Sequence, residues 1–347
     1  MSALTGLTSA ATPTRVRRLG IVALIGVLLY VPYYFPPFHV FQISQVVVYA
    51  VALLGLNLLV GYGGQISLGH GAFFAAGAYG TAILVDRFDM PHLATLPVVA
   101  VLAFGLGYAF GLPALRLHGL YLALVTLSLA VITPPLLKRF EPVTGGSMGL
   151  TVDKPVAPGW SGLADDQWVY LLALAIAVPC FLGARFLLRS RVGRALLALR
   201  DNPVAAEVMG VSLSRYKTMV FAWSAMYAGI AGALFTWIIG FVAPDSFPIA
   251  LSISLLSGLV VGGLASVSGP VFGAAFVVFV PSLAQDVNEA APGIVFGLLL
   301  IAVMLVAPTG VAGLLGRLGA RVRPARTASA APAASAPATS AASPPGA

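Results

Sequence analysis

Four histidines, His39, His70, His92 and His118, and one cysteine, Cys180, are the residues that metal or nucleophilic chemistry would draw on first, and they are scattered along the chain. There is no His-Glu-x-x-His spacing and no second cysteine, so neither a zinc site nor an internal disulfide can be read from them. A phosphate-binding loop needs Gly-Lys followed by Ser or Thr, because backbone N–H groups and the lysine together cradle the phosphates. The lysines here are Lys138, Lys154 and Lys217, and none follows a glycine. The expectation is a chain with no catalytic residues, no metal ligands and no cofactor. Any ATP hydrolysis it uses must occur on another chain.

Two stretches concentrate unusual residues instead. The first, Gly55 to Gly80, reads GLNLLVGYGGQISLGHGAFFAAGAYG and places Asn57, Gln65, Ser67 and His70 among glycines inside an otherwise apolar region. Small residues let helices approach closely, and the four polar groups either line a wet path or hydrogen-bond between packed helices. A helix broken at Gly61 to Gly64 would offer end dipoles and uncharged hydrogen-bonding groups to a zwitterion such as an amino acid. The second stretch, 189–217, reads RSRVGRALLALRDNPVAAEVMGVSLSRYK. Val192, Leu196 and Leu199 recur at helical spacing while Arg191, Arg194 and Arg200 fall elsewhere, which predicts a short amphipathic helix ending near Asp201. Asn202 then reads as an N-cap, Pro203 as the first helical residue and Gly210 as the left-handed stop, giving a helix of about two turns from Pro203 to Met209.

The elements that position these stretches follow from composition. Hydrophobic residues make up 59% of the chain and charged ones 9%, with a mean hydropathy of +0.97, which excludes an ordinary soluble domain. Because a charge at the centre of a membrane helix costs roughly 2.5 to 3.5 kcal/mol, runs free of Asp, Glu, Lys and Arg mark where spans can lie. Residues 19–85 hold room for three, breaking at Pro32 to Pro37 and at Gly61 to Gly64. The runs 90–115, 117–137, 167–184, 218–244 and 290–316 hold one each, and 246–285 holds two separated near Gly262, Gly263 and Gly269. The fold class is therefore all-α and polytopic with about ten transmembrane helices. If the glycine-broken runs were re-entrant, the count would be eight.

Orientation comes from the basic residues, which stay cytoplasmic in short loops. They cluster before the first run, in 189–217 and after the last run, a placement that fits membrane topology and excludes nucleic-acid binding. Ten spans put both termini and 189–217 in the cytoplasm and the segment 138–168 outside. The domain plan is a cytoplasmic tail at 1–18, a permease domain at 19–316 with a cytoplasmic loop at 189–217, and a tail at 317–347. That tail is basic first and then rich in Ala, Pro and Ser, as expected of disorder. The first span is expected to remain uncleaved. Gly63, Gly64, Ser67, Phe73, Ala75 and Ala76 recur 199 positions on as Gly262, Gly263, Ser266, Phe272, Ala274 and Ala275, a weak sign of an internal repeat. Outside, Asp86, Arg87, Asp89, Asp245, Asp286 and Glu289 are either docking charges or solvated loop ends.

The pattern Ala205, Ala206, three residues, Gly210 resembles the coupling loop of ABC-importer permeases, although Val204 stands where that loop has its acidic residue and Glu207 comes three positions later. Over roughly Leu53 to Leu315 the chain resembles the branched-chain amino acid permease family of ABC importers, in its LivM-type subunit. The resemblance rests on the two stretches quoted above together with GGLASVSGPVFGAAF (Gly262 to Phe276) and GLLLIAVMLVAPTGVAGLL (Gly297 to Leu315). It implies a multi-pass subunit of the bacterial plasma (inner) membrane that forms a translocation path. The implied partners are a second homologous permease of LivH type, two cytoplasmic ATPase subunits and an extracytoplasmic substrate-binding protein. It also implies that Arg194, Asn202, Pro203, Ala205, Ala206, Glu207 and Gly210 couple to the ATPase, while Asn57, Gln65, Ser67 and His70 stay candidates for the path on their polarity. Related permeases carry urea, short amides or aromatic acids. A secondary transporter or channel is the competing class; it usually places ionisable groups at membrane depth, so the charge-free runs argue against it while His70 argues for it.

Overall fold

The computed structural model describes residues 26, 30, 32–114, 117, 119–160, 162–287, 292–307 and 309–314. The expected tails at 1–18 and 317–347, most of the first span, His118 and Glu289 lie outside the described residues. The described chain is all-α apart from one two-residue ladder. In order, the helices are α1 (Pro37–Asn57), α2 (His70–Phe88), α3 (His92–Ala114), α4 (Leu120–Arg139), α5 (Glu141–Thr144) and α6 (Asp165–Arg189). They continue with α7 (Arg191–Asp201), α8 (Pro203–Val208), α9 (Leu213–Ile239), α10 (Ile249–Gly262), α11 (Gly269–Val287) and α12 (Pro292–Val306).

Among the described residues seven helical stretches are long and apolar enough to cross a membrane: Pro37–Tyr62, His92–Pro113, Leu120–Arg139, Asp165–Arg189, Leu213–Ile239, Pro244–Gly262 and Gly293–Leu314. α2 and α11, of 19 residues each, run beside them. Several helices extend past the charge-free runs. α9 starts at Leu213 and so takes in Arg215 and Lys217, and α6 takes in Arg185 and Arg189. Long basic side chains at a helix end carry their charge out to the interface, so a window that forbids charge trims such helices.

α9 and α1 form the buried centre. α9 packs along α3, α2 and α1, while α1 also meets α11 and α6, and α12 lies outside against α11. Backbones touch where α2 crosses α9: a Cβ on Gly77 would lie 2.0 Å from the carbonyl oxygen of Gly229, closer than any side chain allows. The bundle has two distinct ends. One holds the segment 140–164 and a short antiparallel ladder pairing Leu150 with Val242 and Thr151 with Phe241. At that end Lys138 pairs with Asp245 at 2.7 Å, Arg87 donates to the carbonyl of Pro142, and Gln167 donates to Pro32 O at 2.7 Å. The opposite end holds α7, α8 and two interruptions in the helices.

Candidate functional site

The first interruption begins where α1 widens into a π-turn at Leu58–Tyr62, with Gly63 N bonded to Leu58 O at 2.9 Å and Gln65 N to Leu59 O at 3.1 Å. Residues 63–69 then run without helix until α2 starts at His70. Burial alternates along this extended piece: Gln65 and Ser67 point inward, and Gly64 and Ile66 point outward. The second interruption follows Gly262, where Gly263 (φ 113°) and Ala265 (φ 56°) turn the chain before α11 begins at Gly269. α2 starts at 70 and α11 at 269, an offset of 199 that is the same as that of the sequence repeat. The weak similarity in the sequence thus corresponds to two helix–break–helix hairpins of one design.

The two breaks touch. Asn57, buried at the end of α1, accepts a hydrogen bond on Oδ1 from Ala265 N at 2.9 Å and donates from Nδ2 to Ser266 O at 2.7 Å. This pair of bonds occupies backbone groups that the interruption would leave without a helical partner. Gly61 is required beside it, since a Cβ there would fall 2.2 Å from Asn57 Oδ1 and 2.6 Å from Ala265 N.

The other polar residues singled out from sequence are also buried and engaged. His70 Nε2 lies 3.0 Å from Ala52 O, and because a carbonyl only accepts, the ring donates. Gln65 Nε2 donates to Lys217 O on α9 at 3.3 Å, and Ser67 Oγ accepts from Gly69 N at 3.4 Å. Asn57, Gln65, Ser67 and His70 are thus brought to one region, where they join α1, α2, α9 and the second break. Ile66 and Leu264, each about half exposed on the outer side of the two breaks, went unnoticed in the sequence. Alternation along 64–69 was the available signal, but it emerges only once that piece is known to be extended rather than helical.

At the same end the basic stretch folds as expected. Ser190 caps α7 by accepting from Val192 N at 3.1 Å, and α7 buries Gly193, Leu196 and Leu199. Asn202 Oδ1 accepts from Ala205 N at 3.1 Å, Pro203 opens α8, and Gly210 (φ 86°) closes it as Val211 N reaches back to Ala206 O at 3.0 Å. α8 turns Ala206 inward and leaves Val204, Val208 and Met209 more than 70% exposed beside Ala205 and Glu207. Arg194 is exposed on α7 and donates to Arg189 O at 3.3 Å. The expected end of α8 at Met209 falls one residue earlier, at Val208, within the usual fraying of a helix terminus.

The geometry is that of a multi-span bundle with paired interruptions and a capped short helix displayed at one end, and sequence comparison decides its kind. Residues 39–307 match the family described as "Branched-chain amino acid transport system / permease component". The chain belongs to this family. It is 33% identical over 318 residues to the high-affinity branched-chain amino acid transport system permease protein LivM of Escherichia coli strain K12, covering 85% of this chain and 75% of that one. The LivM protein of Salmonella typhimurium is 32% identical over the same shares. More distant is the probable permease protein LivH of Methanocaldococcus jannaschii, 26% identical over 75% of this chain and 87% of the relative. A solved structure, PsaBC from Streptococcus pneumoniae in complex with Fab, overlays at a TM-score of 0.39 with 12% identity, over 81% of this chain and 94% of that one. As a member of the branched-chain permease family, the chain is a membrane transport subunit rather than an enzyme.

Proposed function

We propose that the chain is the LivM-type permease of an ATP-driven importer for branched-chain amino acids in the bacterial plasma membrane. It crosses the membrane ten times with both termini in the cytoplasm. It pairs with a second permease of LivH type, two cytoplasmic ATPase subunits and an extracytoplasmic binding protein. The observation that carries the reading is α8: an N-capped two-turn helix between two spans, with Val204, Val208 and Met209 laid bare to water. Three exposed apolar side chains on so short a helix fit a groove on a partner. Arg194, Asn202, Pro203, Ala205, Ala206, Glu207 and Gly210 shape and present that contact.

In this reading the path runs past the paired breaks. Asn57, Gln65, Ser67 and His70 hold its wall in place, helix ends supply dipoles for the charges of an amino acid, and Ile66 and Leu264 supply apolar surface for its aliphatic side chain. The test is reconstitution with the partner subunits in vesicles. Uptake is expected to require ATP, and Met209→Asp at the C-cap of α8 to abolish ATP-dependent uptake. Full-rate uptake by this chain alone in energy-depleted vesicles would overturn the reading.

A further inference from the structure

α8 makes its hydrogen bonds to Asn202 at the end of α7 and to the turn that follows it, so a movement at its surface is carried inward by neighbouring residues. The residue placed to do so is Arg200. It lies in the last turn of α7, two positions before the cap Asn202, so any displacement of α8 moves its backbone. Its Nε and Nη2 both donate to Asp201 Oδ1 at 3.0 Å, which fixes the guanidinium plane and leaves Nη1 to donate to Gly61 O at 2.9 Å. Its stem rests on the chain just beyond: a Cβ added to Gly64 would come within 2.9 Å of Arg200 Cγ.

Gly61 lies inside the π-turn and in contact range of Asn57, whose amide spans to Ala265 N and Ser266 O in the other break. A line of contacts therefore leads from the root of α8 through Arg200 to both interruptions, by hydrogen bonds at Arg200 and Asn57 and by close packing of Gly61 on Asn57 between them. Other ties of the first break lead elsewhere: Gln65 Nε2 donates to Lys217 O on α9 at 3.3 Å, and Leu68 N donates to Thr126 Oγ1 on α4 at 3.0 Å.

We infer that Arg200 is a positioning residue that transmits displacement of α8 to the paired breaks, an inference that rests on the proposed ATP-driven function. Arginine suits the role because one planar fork can hold Asp201 with two of its nitrogens and a backbone carbonyl with the third, which a lysine's single ammonium cannot do.

The experiment measures uptake and ATP hydrolysis together in vesicles holding the complete complex. Arg200→Ala is expected to assemble and hydrolyse ATP while uptake per ATP falls at least about tenfold, the scale set by loss of one charge-assisted hydrogen bond in a coupled pathway. Arg200→Lys, which keeps charge and reach, is expected to recover part of that ratio, and Asp201→Asn to lower it less than Arg200→Ala. Unchanged uptake per ATP in Arg200→Ala would overturn the inference, as would uptake and hydrolysis falling in equal proportion in both Arg200 variants. Met209→Asp separates the two failures. If it uncouples the complex while Arg200→Ala does not, only the transmission role falls; if it too leaves ATP-dependent uptake intact, the docking role of α8 falls as well, and only uptake that needs no ATP overturns the ATP-driven reading.

Discussion

The hairpin α1–α2 and the hairpin α10–α11 share an interruption and a register yet are wired differently. In the first, polar side chains tie the break to its surroundings: Gln65 to α9, His70 back to α1, and Gly61 O to Arg200. In the second, the positions 199 residues on from Asn57, Gly61 and Gln65 are Leu256, Val260 and Leu264, and the break is held by Asn57 reaching across. One hairpin is anchored to the end of the bundle that carries α8, and the other is anchored to the first hairpin. The pairing of backbones therefore has one shape and two jobs. Replacing residues of the first hairpin by their counterparts in the second tests how much of the difference each one makes.

The largest effect is expected from Gly61→Val. Valine is native 199 positions later at Val260, which is partly exposed toward Val303 and Met304. At Gly61 there is no such room, because the first added carbon already meets Asn57 Oδ1 and Ala265 N at 2.2 and 2.6 Å. Backbone atoms cannot step aside, so the breaks must part. Destabilisation of roughly 3 kcal/mol or more is expected, at the severe end of overpacking, read as a large fall in the melting temperature of detergent-solubilised protein. The converse change, Val260→Gly, removes a partly exposed side chain and is expected to cost less than half as much. Equal costs would show that the hairpins are interchangeable after all.

Asn57→Leu comes next. It leaves Ala265 N and Ser266 O without their partner, but both residues are only partly buried, so water can reach them. A cost of about 1–3 kcal/mol is expected, that of one or two unpaired backbone groups. The loss should be local: hydrogen exchange should rise at Ala265 and remain slow in the middle of α9. An exchange pattern identical to that of the unsubstituted protein would mean that the junction does not depend on Asn57.

How far these features were visible in the sequence depends on the range of the interactions that make them. The capped helix α8 was legible residue by residue, because an N-cap, a proline at the first position and a left-handed glycine act within one turn. The sites of both breaks were legible too, since glycine clusters interrupt apolar runs. The contacts that give the breaks meaning were not. Asn57 meets residues 208 and 209 positions away, and Arg200 meets Gly61 at a separation of 139, and neither pairing leaves a local trace. Gln65, Ser67 and His70 stood out for their polarity, yet polarity alone does not distinguish a side chain that faces a path from one that braces it. The burial that separates Gln65 from its neighbour Ile66 depends on the extended backbone between them.

The smallest effect is expected from Gln65→Leu, which installs the residue found at Leu264. Gln65 is buried, which would ordinarily make the loss of its hydrogen bond expensive. Its bond to Lys217 O is long at 3.3 Å, and it meets a carbonyl in the first turns of α9 that also faces the helix's own N–H groups. Leucine fills nearly the same volume and has no amide to leave stranded. The bond lost and the desolvation relieved should nearly cancel, giving a change within about 0.5 kcal/mol. A melting temperature within a few degrees of the parent, measured alongside Asn57→Leu, would place the polar wiring of the first hairpin at Asn57 and Arg200. A collapse comparable with that of Asn57→Leu would instead make Gln65 a principal tie between the break and α9, and the anchoring of the two hairpins would then differ at a second, independent point.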